Sequence, residues 1–126
     1  MNAEALHTYL GEQSLLPQKL GVIDCVTFVT GAVKAGWDRD FYFTLKYGNR
    51  RSAVARLREL GGLSAAVDGA LGSRYPISEL PEGSVVYLDV PSPTLGLVLG
   101  DQVLVKVHKQ VIRVTRDSVL YGWRTT

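Results

Sequence analysis

The spacing of apolar residues changes character at Gly83, and that change restricts the fold more than any other feature of the chain. Before Gly83 the apolar residues recur at helical intervals. After it they crowd into short runs rich in valine and leucine. Helical spacing predicts a short helix from Asn2 to Leu10, with Leu6, Tyr9 and Leu10 on one side and Gly11 as its stop. A second helix starts at Asp24–Cys25 and places Val29, Ala32 and Val33 on one side, with Gly36 as a left-handed terminator. Further helices are expected from about Asn49 to Leu60, ended by Gly61-Gly62, and from Leu63 to Leu71. Beyond Gly83, extended segments are expected at 84–90, 95–99, 103–107 and 111–114. They are divided by Pro91-Ser92-Pro93, Gly100-Asp101 and Lys109-Gln110, which have turn composition. Residues 118–123 are expected to anchor the C-terminus through their apolar side chains. Helices followed by a meander of strands make an α+β fold, with N-terminal helices packed on a small antiparallel β-sheet.

A chain of 126 residues carries one such core and is read as a single domain over 1–126. Apolar residues make up 46% and charged residues 21%, an ordinary globular balance, so the chain is expected to be soluble. No apolar run approaches the roughly 20 residues that cross a bilayer, and the N-terminus lacks signal-peptide composition, so no membrane insertion is expected. The net charge of +2 is small for a dedicated nucleic-acid binder, which makes nucleic acid the less favoured partner. With one cysteine the chain can form no internal disulfide, and the fold must rest on its core.

That cysteine, Cys25, stands in the first turn of the second helix, with Asp24 placed to cap it. The partial positive charge of a helix N-terminus favours thiolate over thiol, so the position suits a nucleophile. It suits a small core residue equally well. Nucleophilic work also needs a base to take the thiol proton and return it. Neither His7 nor His108 lies near Cys25 in sequence. No Cys/His cluster has metal-ligand spacing and no glycine-rich phosphate loop is present, so no cofactor and no metal are expected.

Gly21-Val22-Ile23-Asp24-Cys25-Val26-Thr27-Phe28-Val29 and the helix after it resemble the cysteine motif of NlpC/P60-type papain-like hydrolases. Gly83-Ser84-Val85-Val86-Tyr87-Leu88 resembles the Gly-Asp strand of those proteins, and Thr94-Leu95-Gly96-Leu97-Val98-Leu99-Gly100 resembles their His-Val-Gly-Ile-Tyr-Leu-Gly strand. Over most of its length the chain is more similar to the DUF6950 family of phage and prophage proteins. That similarity includes the Asp-Cys helix, the arginine patch and Ala-Leu-rich helix between Tyr47 and Gly62, and the terminal Trp123-Arg124. The resemblance implies a divergent NlpC/P60 fold. It also puts Thr94 where the catalytic histidine belongs, and threonine cannot serve as a base near neutral pH. The third polar position of the hydrolases falls near Lys106. His108, two residues on, shares that strand face if the strand stays regular; it is either an improvised base for Cys25 or a solvent-facing strand residue.

The resemblance accordingly implies a pseudoenzyme: a structural or assembly protein of the phage tail tip or baseplate, made in the host cytoplasm and carried in the virion. Its partners would be other tail or baseplate proteins. The alternative is an active cysteine peptidase or amidase that opens peptidoglycan during infection, with Cys25 and His108 as its catalytic pair. The stretch from Trp37 to Arg58 mixes aromatic and basic residues, and arginine and aromatics are enriched at protein interfaces. Trp37, Arg39, Tyr47, Arg50 and Arg51 are therefore the candidate interface residues. A solvated helix face over core aromatics accounts for the same pattern.

Overall fold

Three helices, a five-stranded antiparallel sheet and two short 3₁₀ turns make up the described part of the computed structural model, which covers residues 1–15, 25–40, 62–89, 93–107 and 110–125. The first helix, α1, spans Ala3–Gln13. Asn2 caps it, its side-chain oxygen accepting the Ala5 N–H at 3.0 Å. Gly11 does not stop α1 as the sequence suggested; the helix runs one further half-turn and ends at Ser14, whose N–H bonds Leu10 O. The second, α2, spans Cys25–Trp37. Its left-handed terminal residue is Asp38 (φ 54°), not Gly36. Gly36 stays helical and buried because Leu6 of α1 packs on it, at 3.5 Å from where a Cβ would stand. The third, α3, spans Leu63–Leu71, as its spacing predicts. The helix expected over 49–60 and the capping role of Asp24 lie outside the described residues.

The strands are β1 (Val85–Asp89), β2 (Pro93–Leu99), β3 (Gln102–Val107), β4 (Gln110–Thr115) and β5 (Val119–Trp123), in the order β4-β3-β2-β1-β5. Strands β1 to β4 form the expected meander. The residues expected only to anchor the C-terminus instead return as β5 and pair antiparallel with β1, through Val85↔Trp123 and Tyr87↔Tyr121. Gly122 permits this close approach: a Cβ there would stand 2.6 Å from Val85 O and 2.6 Å from Leu80 Cδ1.

Alternation along the strands divides the core in two. On one face Val85, Leu95, Leu97, Leu104 and Trp123 meet Leu6 of α1, the buried side of α2 and Val67 of α3. On the other, Val86, Leu88, Val98, Val103 and Val105 pack with Leu80. Phe28, Val29, Ala32 and Val33 of α2 are fully buried, and each side chain of valine size or larger contributes roughly 1.5–3 kcal/mol on removal from water. No helix among the described residues is long and apolar enough to cross a membrane.

Candidate functional site

Cys25 is the first residue of α2 and is half-buried against the helix-facing core. Two sets of contacts locate its surroundings. Helices α1 and α2 run antiparallel: the Asn2 N–H donates to Gly36 O, and at mid-length the Tyr9 hydroxyl donates to Phe28 O at 2.9 Å. Continuing that register along both helices brings Gln13, at the end of α1, alongside the first turn of α2 and hence Cys25. The direction of α2 over the sheet is fixed by Trp37, whose indole lies against Gly83 just before β1; a Cβ at Gly83 would stand 2.7 Å from Trp37 Cε2. The C-terminus of α2 therefore lies where β1 begins. Its N-terminus lies at the opposite end, where β1 and β3 finish and β2 and β4 start.

At that end one row of side chains crosses the helix-facing side of the sheet. Registered pairs place Val111 beside Lys106, and Leu95 and Tyr121 on either side of Tyr87. The Leu97↔Leu104 pair, continued two residues, sets Leu95 beside Lys106. Helix α2 packs on β2 and β3, so Leu95 and Lys106 are the row members beneath it.

Lys106 is 1% exposed, although its neighbours along β3 from Val103 to Val107 are all apolar. Its ammonium donates to the backbone oxygen of Gln13. That oxygen belongs to the last turn of α1, where carbonyls lack helical partners and the helix dipole favours a cation. Burial pushes the Lys106 amine below the ordinary lysine range. The side-chain Oε1 of Gln13 is also buried, with no hydrogen-bond partner among the described residues.

Thr94, at the expected histidine position, does not face Cys25. It pairs with Leu88, and both alternate onto the face that carries Val98, away from α2. The β2 residue on the α2 side is Leu95, fully buried. His108 lies outside the described residues, just past the end of β3. His7 is exposed on α1 and lines a shallow groove with Leu10, Ser14, Val111 and Arg113. No group of three or more His, Cys, Asp and Glu side chains that could hold a metal occurs among the described residues.

At the far end of the row the tyrosines join a polar cluster. Tyr87 and Tyr121 stack at 5.3 Å between centroids, and the Tyr121 hydroxyl shares a 2.5 Å hydrogen bond with Ser64 of α3. Arg74 lies over the Tyr121 ring, 4.4 Å from its centroid, and grips both Asp68 oxygens at 3.0 and 2.9 Å. Asp68 also accepts the Trp123 indole N–H at 2.8 Å. The hydrogen bonds from Arg74 hold the Asp68 carboxyl below the usual carboxylate range, against a smaller opposing effect of burial. Burial, reinforced by the Asp89 and Tyr121 charges, raises the Tyr87 phenol.

Of the interface candidates, Trp37 is half-buried and seated on Gly83, while Arg39 is exposed. Tyr47, Arg50 and Arg51 lie outside the described residues. The cation the sequence did not single out for burial is Lys106. Its signal is a lysine set inside the run Val103-Leu104-Val105-Lys106-Val107, where a surface strand would alternate instead. No curated protein matches the chain in sequence. The domain of unknown function DUF6950 matches residues 2–125, nearly the whole length, and the chain belongs to that family.

Proposed function

We propose that this protein is a structural or assembly component of a phage tail, at the tip or baseplate, built on a papain-like NlpC/P60 scaffold that no longer works as a hydrolase. The observation that carries the reading is the composition of the row beneath Cys25. A cysteine hydrolase needs an imidazole within hydrogen-bond reach of its thiol. Among the described residues, the sheet positions under the start of α2 are Leu95 and Lys106, and Thr94 stands on the opposite face. Leucine has no proton to exchange. Lys106 is buried and engaged with the end of α1. In this reading Cys25 is a packing residue, and the resemblance to prophage-encoded proteins supplies the tail as its setting. The exposed Arg39, with Trp37, Tyr47, Arg50 and Arg51, would meet neighbouring tail or baseplate subunits. No cofactor is called for.

The experiment is genetic. In a phage that encodes the protein, deletion should yield particles with incomplete tails, whereas Cys25→Ser should yield normal particles of undiminished infectivity. Intact Cys25→Ser virions that fail to infect would overturn the reading in favour of a cysteine peptidase or amidase acting on peptidoglycan during infection. The position of Cys25 at a helix N-terminus favours that second reading, because such a position stabilises a thiolate.

A further inference from the structure

We propose that the outer edge of β4 and the groove between it and α1 form a docking site for an extended segment of a partner protein. The segment adds to the sheet as a further strand, setting an apolar side chain in the groove and a carboxylate on Arg113. The inference rests neither on Cys25 nor on the tail setting. It starts from a difference between the two edges of the sheet. Beyond β5, Tyr75 closes the edge at Gly122 through reciprocal backbone bonds of 2.8 and 3.0 Å. Beyond β4, no strand pairs among the described residues. Which β4 groups face outward follows from the bonding of the strands before it. The Val98 N–H and C=O bond Ser84 and Gly83, on the β1 side. Alternation then turns Leu97 and Leu99 toward β3, onto Leu104 and Gln102. Val103 and Val105 consequently bond β4, at Val114 and Ile112. The backbone groups of Val111 and Arg113 are left facing away from the sheet, and such a row is a template for another strand.

The same two residues send their side chains to the α1 side of the sheet, the side of Leu104. There a groove of about 230 Å³ lies between strand and helix. Buried Leu104, with Leu10 and Val111, makes its floor apolar. Gly11 leaves the helix wall open, since nothing lies within 4 Å of where its Cβ would stand. A strand added to β4 would place every second side chain over this groove. The charges choose the occupant. Exposed His7 and Arg113 stand at the rim, no carboxylate lines the groove among the described residues, and the α1 carboxylates Glu4 and Glu12 line a different groove. Arg113 makes no ion pair among the described residues; its guanidinium donates to Gln102 Oε1 at a long 3.4 Å. A second copy of β4 fits poorly. In antiparallel pairing about the centre of the strand, Arg113 would stand opposite Arg113 of the other copy or on its diagonal, on the same face, where like charges repel. An acidic segment meets the opposite sign instead.

The probes are two fluorescent peptides, Thr-Val-Leu-Thr-Glu-Val-Thr and its reversal Thr-Val-Glu-Thr-Leu-Val-Thr. Both put leucine and glutamate on one face, and together they serve either strand direction. Anisotropy titration of the full chain should show one of them binding. On saturation the Val111 and Arg113 amides should gain at least about tenfold protection from hydrogen exchange, while those of Ile112 and Val114 are protected with or without peptide. Arg113→Glu should weaken binding at least about tenfold and favour the same peptide with lysine in place of glutamate. Gly11→Leu places a side chain in the open groove, so it should weaken binding by at least about tenfold while raising the unfolding midpoint, because leucine is the better helix former. No binding by either peptide up to about 1 mM, binding indifferent to Arg113→Glu, or binding that leaves the Val111 and Arg113 amides unprotected would overturn the proposal. Self-association that protects those amides without peptide would also overturn it, since the occupant would then be a second copy.

Discussion

Replacing Gly31 with alanine tests the packing of α1 on α2, on which the surroundings of Cys25 depend. Gly31 lies inside α2, where glycine costs about 0.8–1.0 kcal/mol relative to alanine, so on helix propensity alone the substitution should stabilise. The structure predicts the reverse. A Cβ at position 31 would meet the Tyr9 hydroxyl and stand 2.6 and 2.8 Å from two Tyr9 ring carbons. The ring is the free end of a side chain and can move, so the loss is bounded by what its seat contributes. That seat includes the 2.9 Å bond to Phe28 O, worth about 0.5–1.5 kcal/mol, and the pairing with the Phe28 ring at 6.1 Å, worth about as much. The loss is then about 1–3 kcal/mol against a gain of about 1, and Gly31→Ala should destabilise by roughly 1 kcal/mol. With Tyr9→Ala in place the obstruction is gone, and Gly31→Ala should stabilise by about 1 kcal/mol. Urea unfolding of the four chains of this cycle gives a coupling energy of about 2 kcal/mol if the account holds. Equal stabilisation by Gly31→Ala in both backgrounds would mean Tyr9 does not sit on Gly31. The α1–α2 register would then fail, and with it the placement of Gln13 beside Cys25.

Other expected outcomes follow from single contacts. Asp68→Ala should leave the buried Trp123 indole N–H without its acceptor and cost about 1–3 kcal/mol, read by denaturant unfolding with tryptophan fluorescence. Gly122→Ala should cost about 1–3 kcal/mol by overpacking against Val85 O and Leu80, and β5 amides should lose protection first. Lys106 has a folded-state pKa lowered by burial, so between that value and its unfolded value the unfolded chain binds more protons and stability should rise with pH. The stability difference between the wild type and Lys106→Met should therefore drift in favour of the wild type as the pH is raised through that window; a difference independent of alkaline pH would show that the amine is not desolvated. The Asp68 carboxyl is likewise lowered, in its case by the hydrogen bonds from Arg74, so its contribution is present above the usual carboxylate range and lost as acid protonates it, and Asp68→Asn should flatten that acid limb.

The parts of this fold legible in the sequence are those that depend on local spacing. Helix α3 is readable from Leu63 to Leu71 because alanine and leucine fill it and glycines bracket it. The meander β1–β4 is readable because Pro93, Gly100-Asp101 and Lys109-Gln110 break valine-rich runs. Strand β5 is less legible: Val119, Tyr121 and Trp123 alternate, but Leu120 points to solvent and Gly122 weakens the pattern. Its partner is set by a long-range fit, Gly122 against Val85 and Leu80, that no local rule contains. Gly36 misled for the same reason, since its role is to admit Leu6 rather than to end α2.

The site shows the same division. Spacing puts Cys25 at the start of a helix, and α2 begins there. Which strand residues face it depends on strand parity and on the direction in which α2 crosses the sheet. Motif resemblance pairs Cys25 with Thr94, whereas alternation puts Leu95 on that side. Lys106 lay in view as a lysine inside an apolar strand, but its seat depends on α1 returning from the other end of the chain, ninety-three residues away in sequence.

The most direct test of the central claim, that the Cys25 end of α2 no longer performs hydrolysis, is an assay of the purified chain on peptidoglycan from a bacterial host. Wild type and Cys25→Ser should release the same background of soluble fragments across pH 5 to 9, and Leu95→His should not by itself create activity dependent on Cys25. Fragment release by the wild type that Cys25→Ser abolishes would contradict the account and restore Cys25 as a working nucleophile.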